Sequence, residues 1–388
     1  MKIVVILSRF PYPLEKGDKL RAYYQIRELS KKHEIFLVAV SDRIISSEEK
    51  KELDKYCSKI FIFYLRKSEI VVNVIKALIS GKPLQTGFFY SGKIKRKINF
   101  IIDDIKPHHI FCQLVRVADY VKDIKTIPMT LDYQDAFSKG IERRFKTDPF
   151  YFLPILSLEY RLLKKYEVEV FSRFDNKTII SEQDRDLIQH PKKQDIMIIP
   201  NGVDTEYFYP IAQAKKYDIL FTGNMNYQPN IIAVEYLVKK VLPLLKHKYP
   251  GIKLLICGAT PKRSVKNLRS ENVEISGWVD DIRDCYARSK IFVAPMQIGI
   301  GLQNKLLQAM AMKIPCISSL LANNSLKAME DKEILIGKNA EEYALHIEYL
   351  LENPGKAEEI ALNAYNFIQN NYQWNSITSK LEEIINNT

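Results

Sequence analysis

The chain of 388 residues has no run of about 18 apolar residues, so no stretch reads as a membrane-spanning helix. Its five cysteines (Cys57, Cys112, Cys257, Cys285 and Cys316) are scattered, without a Cys-x-x-Cys pair. That spacing argues against a disulfide framework or a zinc ribbon, and it predicts buried, reduced thiols in a cytoplasmic protein. The six histidines form no ligand spacing, and His108-His109, just before a strand, reads as structural. The only Asp-x-Asp string, Asp184-Arg185-Asp186, falls at an apparent helix start. Two residues apart on a helix, carboxylates diverge, so capping is expected there and no metal site. The N-terminal MKIVVILSRFPYP lacks the long apolar centre and small-residue cleavage site of a signal peptide, and it predicts a first buried strand. No repeat or low-complexity tract is present.

What is there is ordinary globular material, 46 % hydrophobic and 27 % charged, long enough for two domains. The net charge of +12 is uneven: residues 1–200 hold 37 Lys+Arg against 26 Asp+Glu, and the remainder 21 against 20. A basic first half suits a nucleic acid, an anionic membrane face or a phosphorylated substrate; a solvated surface is the plain alternative. Strand and helix signals alternate along the whole chain, which predicts parallel sheets covered by helices. Strands are expected at 2–7, 35–40, 60–65, 110–114, 127–131, 177–180 and 196–199. The pattern restarts at 217–222, 253–257, 273–275, 291–294 and 316–318. A helix over 154–174 is expected to pack through Leu158, Leu162, Leu163, Tyr166 and Val170.

The stretch PMQIGIGLQNKLLQAMAMKIPCISS (295–319) carries the most chemistry. A short strand runs into Gly299-x-Gly301, and strong helix formers follow from Leu302 to Lys313, before Pro315. A glycine loop feeding a helix N-terminus is suited to an anion, because unpaired N–H groups and the helix dipole favour negative charge. Lys305 adds a full charge in the first turn. Gln308 lies on the same face one turn on.

This segment resembles the donor-site signature of family 4 retaining glycosyltransferases, and is closest to the bacterial exopolysaccharide sugar-transferase subgroup. The matching letters are Gly301, Asn304, Lys305, Gln308-Ala309-Met310-Ala311-Met312 and Pro315-Cys316. Further matches are Ser181-Glu182, Pro200-Asn201-Gly202-Val203-Asp204 with Phe208 and Pro210, Gly223-Asn224, Gly277-Trp278-Val279, Phe10–Pro13 and Lys16–Arg21. The resemblance implies an α/β chain of the GT-B fold, two doubly wound Rossmann-like domains facing across a cleft. Residues 1–205 would form the acceptor-side domain, 206–215 the linker, and 216–373 the nucleotide-sugar domain. The helix 374–388 would cross back onto the first. The family's ribose-binding Glu is Gln308 here, its sugar-binding Glu is Ile300, and its diphosphate Arg and Lys fall near Asn224 and Pro229. Lys305 is then the clearest cation for the leaving group, with Arg9 or Lys16 as further candidates.

Gly17, Asp18, Gly223, Asn224, Val279, Gly299, Gly301, Asn304, Lys305 and Gln308 are thus the expected donor-binding set. From the residues alone, Asp18 is open to a second reading, as the cap of the helix starting near Lys19. Lys305 and Asp135 are the expected catalytic residues, Asp135 because the loop around Asp132 and Asp135 matches a place near the reacting sugar. A loop cap is the alternative for Asp135. Aromatics mixed with cations at Lys93, Lys95, Arg96 and Lys97, and again at Arg143 and Arg144, suggest a lipid-linked acceptor at the anionic inner membrane. No nucleic-acid motif accompanies them. The expected activity is metal-independent, cofactor-free, retaining transfer from a nucleotide-diphosphate sugar to a glycan or lipid-linked acceptor in surface polysaccharide synthesis. The protein would be cytoplasmic and peripheral to the membrane. A GT-B sugar-nucleotide epimerase and a non-catalytic nucleotide-sugar-binding scaffold are the alternatives.

Overall fold

The computed structural model describes residues 1–145, 148–298 and 301–387. They form two compact units, Met1–Pro200 together with the C-terminal stretch from Ile377, and Asn201–Ser376. The first unit holds strands β1 (Lys2–Leu7), β2 (Glu34–Ser41), β3 (Lys59–Tyr64), β4 (His109–Gln113), β5 (Met129–Gln134), β6 (Asn176–Ile179) and β7 (Met197–Ile198) in the order 3-2-1-4-5-6-7, all parallel. The second holds β8 (Tyr217–Thr222), β9 (Leu254–Cys257), β10 (Val273–Gly277), β11 (Ser289–Ala294), β12 (Cys316–Ser318) and β13 (Leu335–Ile336) in the order 10-9-8-11-12-13, also parallel. Each is an α/β sheet of the doubly wound type. Runs such as KIVVIL and YDILFT are apolar on both faces because helices cover both faces of a parallel sheet. β13 has no counterpart among the strands expected from the sequence.

All five cysteines are buried and free. Among the described residues no helix is long and apolar enough to cross a membrane. The segment Asn201-Gly202-Val203 is part of the second unit's own packing, whereas the sequence reading ended the first domain at 205. The Val203 N–H donates to the Tyr372 carbonyl at 2.7 Å, and a side chain at Gly202 would meet Trp374 at 2.8 Å. The last helix, Trp374–Asn386, gives its first three residues to the second unit and the rest to the first. In the first unit Glu382 pairs with Lys32 at 3.0 Å.

The long helix is observed at Leu153–Phe171, and its buried face differs from the expected one. Leu163, Tyr166 and Val170 are buried, but Leu158 and Leu162 are only half-buried, while Glu159 and Glu167 lie inside. Both glutamates are hydrogen-bonded, which is what makes their burial tolerable. Glu159 accepts from the Leu84 and Gln85 N–H groups at 2.6 and 3.0 Å, and Glu167 from the Ser138 N–H and hydroxyl at 3.0 and 2.6 Å.

One buried ion pair ties the first unit together. Arg21, in the helix Gly17–Leu29, grips Asp132 of β5 through Nε at 2.6 Å and Nη2 at 3.0 Å, and both side chains are fully buried. Its Nη1 reaches the Pro200 carbonyl at 3.1 Å, and Thr178 of β6 donates to Asp132 at 2.9 Å. Asp132 is therefore a structural residue, and the Arg21 match in the first loop carries packing rather than ligand chemistry. Asp132→Asn should cost about 3–5 kcal/mol of stability, since the Arg21 charge stays buried and loses its partner. Chemical denaturation of the variant checks this, and a loss below about 1 kcal/mol would contradict it.

Candidate functional site

The second unit brings the donor-site residues to the carboxyl edge of its sheet. The helix Asn304–Ala311 packs through Leu306, Leu307, Ala309, Met310 and Ala311, which leaves Asn304, Lys305 and Gln308 on its less buried side. Its N-cap, Gln303, makes no side-chain bond to the first turn, and the Leu306 N–H turns back to the Gln303 carbonyl at 2.9 Å. Gly301 precedes the helix with φ at +104°. Gly299 and Ile300 lie outside the described residues.

Lys305 is half-buried, not on an exposed face. Its Nζ bonds the Asn230 side-chain oxygen, lies 3.8 Å from the Met296 sulfur and sits 4.7 Å from the centre of the Phe221 ring. Among the described residues no carboxylate pairs with it. Burial without a counter-charge brings its ammonium down to about 7. Asn230, missed in the sequence, is buried in the first turns of the helix Gln228–Tyr236, and it also donates to the Asn224 carbonyl at 2.9 Å. The loop GNMNYQPN therefore supplies a lysine holder rather than the family's cations.

Gln308 accepts from the Tyr286 hydroxyl at 3.1 Å, and Thr222 lies 2.8 Å from that same hydroxyl. The Asn304 side chain accepts from Asn201 at 3.1 Å, which joins the Asn-Gly-Val-Asp stretch to the donor helix. Asn224 is occupied by its own loop, accepting from the Asn226 N–H and the Thr260 hydroxyl, each at 2.9 Å. Gly223 and Gly258 end β8 and β9 in direct contact, and a Cβ on Gly258 would fall 1.9 Å from the Gly223 carbonyl oxygen. Both have strongly positive φ, +156° and +144°, so neither position suits a side chain. Beyond β10, Val279 is half-buried and Trp278 is 68 % exposed.

In the first unit Asp18 is not a cap. The helix begins at Gly17, and Asp18, in its positive first turn, accepts from Arg9 at 2.7 Å. Gly17 lies in the same turn, with Gln134 the nearest group to its missing side chain at 3.7 Å. The β5–β6 register slips between Asp132 and Gln134, and Gln134, with φ +66°, immediately precedes Asp135. Asp135 is exposed as a residue, yet desolvation of its carboxyl, reinforced by the charge of Asp184, pushes it up to about 7 against the pull of Arg116 and Arg143. Asp184 itself accepts from Ser181, the cap of its short helix, at 2.6 Å. Among the described residues no three His, Cys, Asp or Glu side chains come together to hold a metal.

Asp135 and Arg116 line a cavity of about 490 Å³ together with Gln85, Phe137, Ile141, Phe152 and Ile155. This cavity was not legible in the sequence, because Arg116 and Gln85 come from segments with no motif. Of the expected acceptor-side cations, Arg144 also lines it, paired with Asp148 at 2.6 Å, and Arg143 is half-buried beside it in sequence. Lys95 is a correction. It is buried on the core side of the helix Gly92–Ile105 and ion-paired with Asp123, because it follows Ile94 on the packed face. Lys93, Arg96 and Lys97 are exposed, and Lys97 lies 6.0 Å from the Phe63 ring centre.

Two parallel, doubly wound units are the plan of the GT-B fold, and a glycosyltransferase domain falls in the second of them. Residues 216–353 match the family model described as Glycosyl transferases group 1. A Klebsiella pneumoniae protein described as an uncharacterized 44.6 kDa protein in the cps region is 23 % identical, over 98 % of both chains. Among solved structures, sucrose-phosphate synthase of Thermosynechococcus elongatus superposes with a TM-score of 0.71 at 13 % identity, covering 100 % of this chain and 99 % of that one. Anabaena HepE in complex with UDP gives 0.68 at 13 %, with full coverage of both.

Because Gln308 already accepts a hydrogen bond from Tyr286, a carboxylate at this position keeps that donor. Gln308→Glu should hold nucleoside-diphosphate affinity within about threefold, whereas Gln308→Ala should weaken it by about 1 kcal/mol. Titration calorimetry with UDP checks both. A severe loss with Glu alone would place residue 308 beside the phosphates.

Proposed function

We propose that the chain is a retaining, metal-independent transferase that moves a sugar from a nucleoside-diphosphate sugar to a glycan or lipid-linked acceptor in surface-polysaccharide assembly. The observation that carries this reading is Lys305, a half-buried ammonium with neutral partners at a helix N-terminus without a side-chain cap from Gln303. A departing diphosphate gains negative charge on its bridging oxygen. A fixed cation and oriented N–H groups stabilise that charge without reorganising at the moment of reaction. The polysaccharide setting is supported by the relative from the Klebsiella cps region, and the donor class by the UDP in the Anabaena structure.

In the retaining route the acceptor enters on the face the diphosphate leaves, and the leaving phosphate takes the acceptor's proton. No dedicated base is then needed. Asp135 is proposed to lie near the reacting sugar, where its raised carboxyl can donate a hydrogen bond near neutral pH. Gly17 and Asp18 would flank the diphosphate, and Gly223, Asn224, Val279 and Asn304 the nucleotide.

Incubation with a panel of nucleotide sugars, with and without acceptor extract, identifies the donor by diphosphate release. With that donor, Lys305→Ala should lose on the order of a hundredfold in turnover while remaining folded. The wild-type rate should persist in excess chelator. Near-normal turnover of the folded variant, or loss on chelation restored by Mg²⁺ or Mn²⁺, would refute the respective halves of this reading.

A further inference from the structure

We propose that the cavity of the first unit seats an amphiphilic acceptor, with a phosphate-bearing head against Arg116 and a hydrocarbon tail running out over Phe150–Ile155. This rests on the glycosyltransferase reading above and names the acceptor class for it.

The inner end of the cavity lies where the first sheet ends. Arg116 follows β4 and Asp135 follows β5, and both chain ends carry a residue of positive φ, Leu114 two residues before Arg116 and Gln134 immediately before Asp135. Arg116 is stacked between aromatic rings, 4.6 Å from the centre of Phe137 and 5.1 Å from that of Phe89. Its Nε and Nη2 both donate to one neutral oxygen, Gln85 Oε1, at 3.2 and 2.6 Å. Among the described residues no carboxylate pairs with it. Burial, with repulsion from Arg9, lowers it to about 10. The carboxylates of Asp18, Asp135 and Glu159 attract it without pairing with it. Asp18 is engaged by Arg9, and Glu159 is spent on the Leu84 and Gln85 N–H groups. A guanidinium has five donors, so Arg116 keeps N–H groups for an anionic head.

The outer end is apolar and exposed. Phe152 and Ile155 line the cavity and yet are 44 % and 49 % exposed. The strip continues through Phe150 at 80 %, Tyr151 at 65 % and Leu153 at 37 %. Large side chains left in water side by side mark a binding surface rather than a core. A free sugar phosphate would leave this strip wet, and an uncharged lipid would leave Arg116 unanswered. Only a molecule with both ends satisfies both.

The test is calorimetry on the full chain with monomeric dodecyl phosphate, against inorganic phosphate and uncharged dodecyl maltoside. Dodecyl phosphate should bind at least about tenfold more tightly than either. Phe152→Ser with Ile155→Ser, both at exposed positions, should weaken it about tenfold. Arg116→Gln should bring it down to the level of dodecyl maltoside, and Arg116→Lys should recover part of the loss. UDP affinity should be unchanged in every variant. Equal binding of dodecyl maltoside, equal binding of inorganic phosphate, or wild-type affinity in the Phe152/Ile155 double variant would each overturn the proposal. Loss of dodecyl phosphate binding while nucleotide-sugar turnover persists counts against this cavity alone. Intact binding without any turnover supports the cavity and counts against the transferase reading.

Discussion

A lysine ammonium kept among neutral partners is the constraint on which the second unit's site depends. Desolvating a cation without a carboxylate beside it is costly, and the cost appears directly as the descent of Lys305 to about 7. The residues around it make that placement tenable without neutralising it. Asn230 gives one amide oxygen, Phe221 an aromatic face and Met296 a soft sulfur. The adjacent helix end adds first-turn N–H groups that Gln303 does not cap with its side chain. A carboxylate in place of Asn230 would quench the charge and remove its use.

The surrounding architecture follows from holding that helix end still. Asn201 anchors Asn304, and Gly202 lets the same segment close against Trp374. Tyr286 locks Gln308 from the neighbouring helix. Gly223 and Gly258 allow two strand ends to touch where side chains would force them apart. In the first unit the Arg21–Asp132 pair plays the corresponding role, tying helix, two strands and the chain's exit at Pro200 to one buried charge pair.

The fold was largely legible because each parallel strand is a short, continuous apolar run bounded by helices, and that pattern needs no tertiary knowledge to read. Twelve of the described strands stand where the runs predicted them, within three residues at either end, and β13 was not read. Burial on helices was less legible. Glu159, Glu167 and Lys95 all sit inside because partners from distant segments satisfy them. The same limit hid Asn230 and Arg116. Neither carries a motif, and each bonds a side chain about 30 or more positions away, Lys305 in one case and Gln85 in the other. Asp18 and Asp132 showed the reverse: residues that looked available for ligand are engaged by arginines.

The proposed role of Lys305 requires that an anion restore its charge. With the ammonium near 7 on its own, a bound diphosphate would raise it, so affinity would be greatest below pH 7 and decline above it until the raised value is passed. Calorimetry of UDP binding at pH 8, in buffers of differing ionisation enthalpy, counts the protons exchanged. The account predicts uptake of roughly one proton by the wild type and none by Lys305→Met. Equal uptake by both, or none by the wild type, would contradict it.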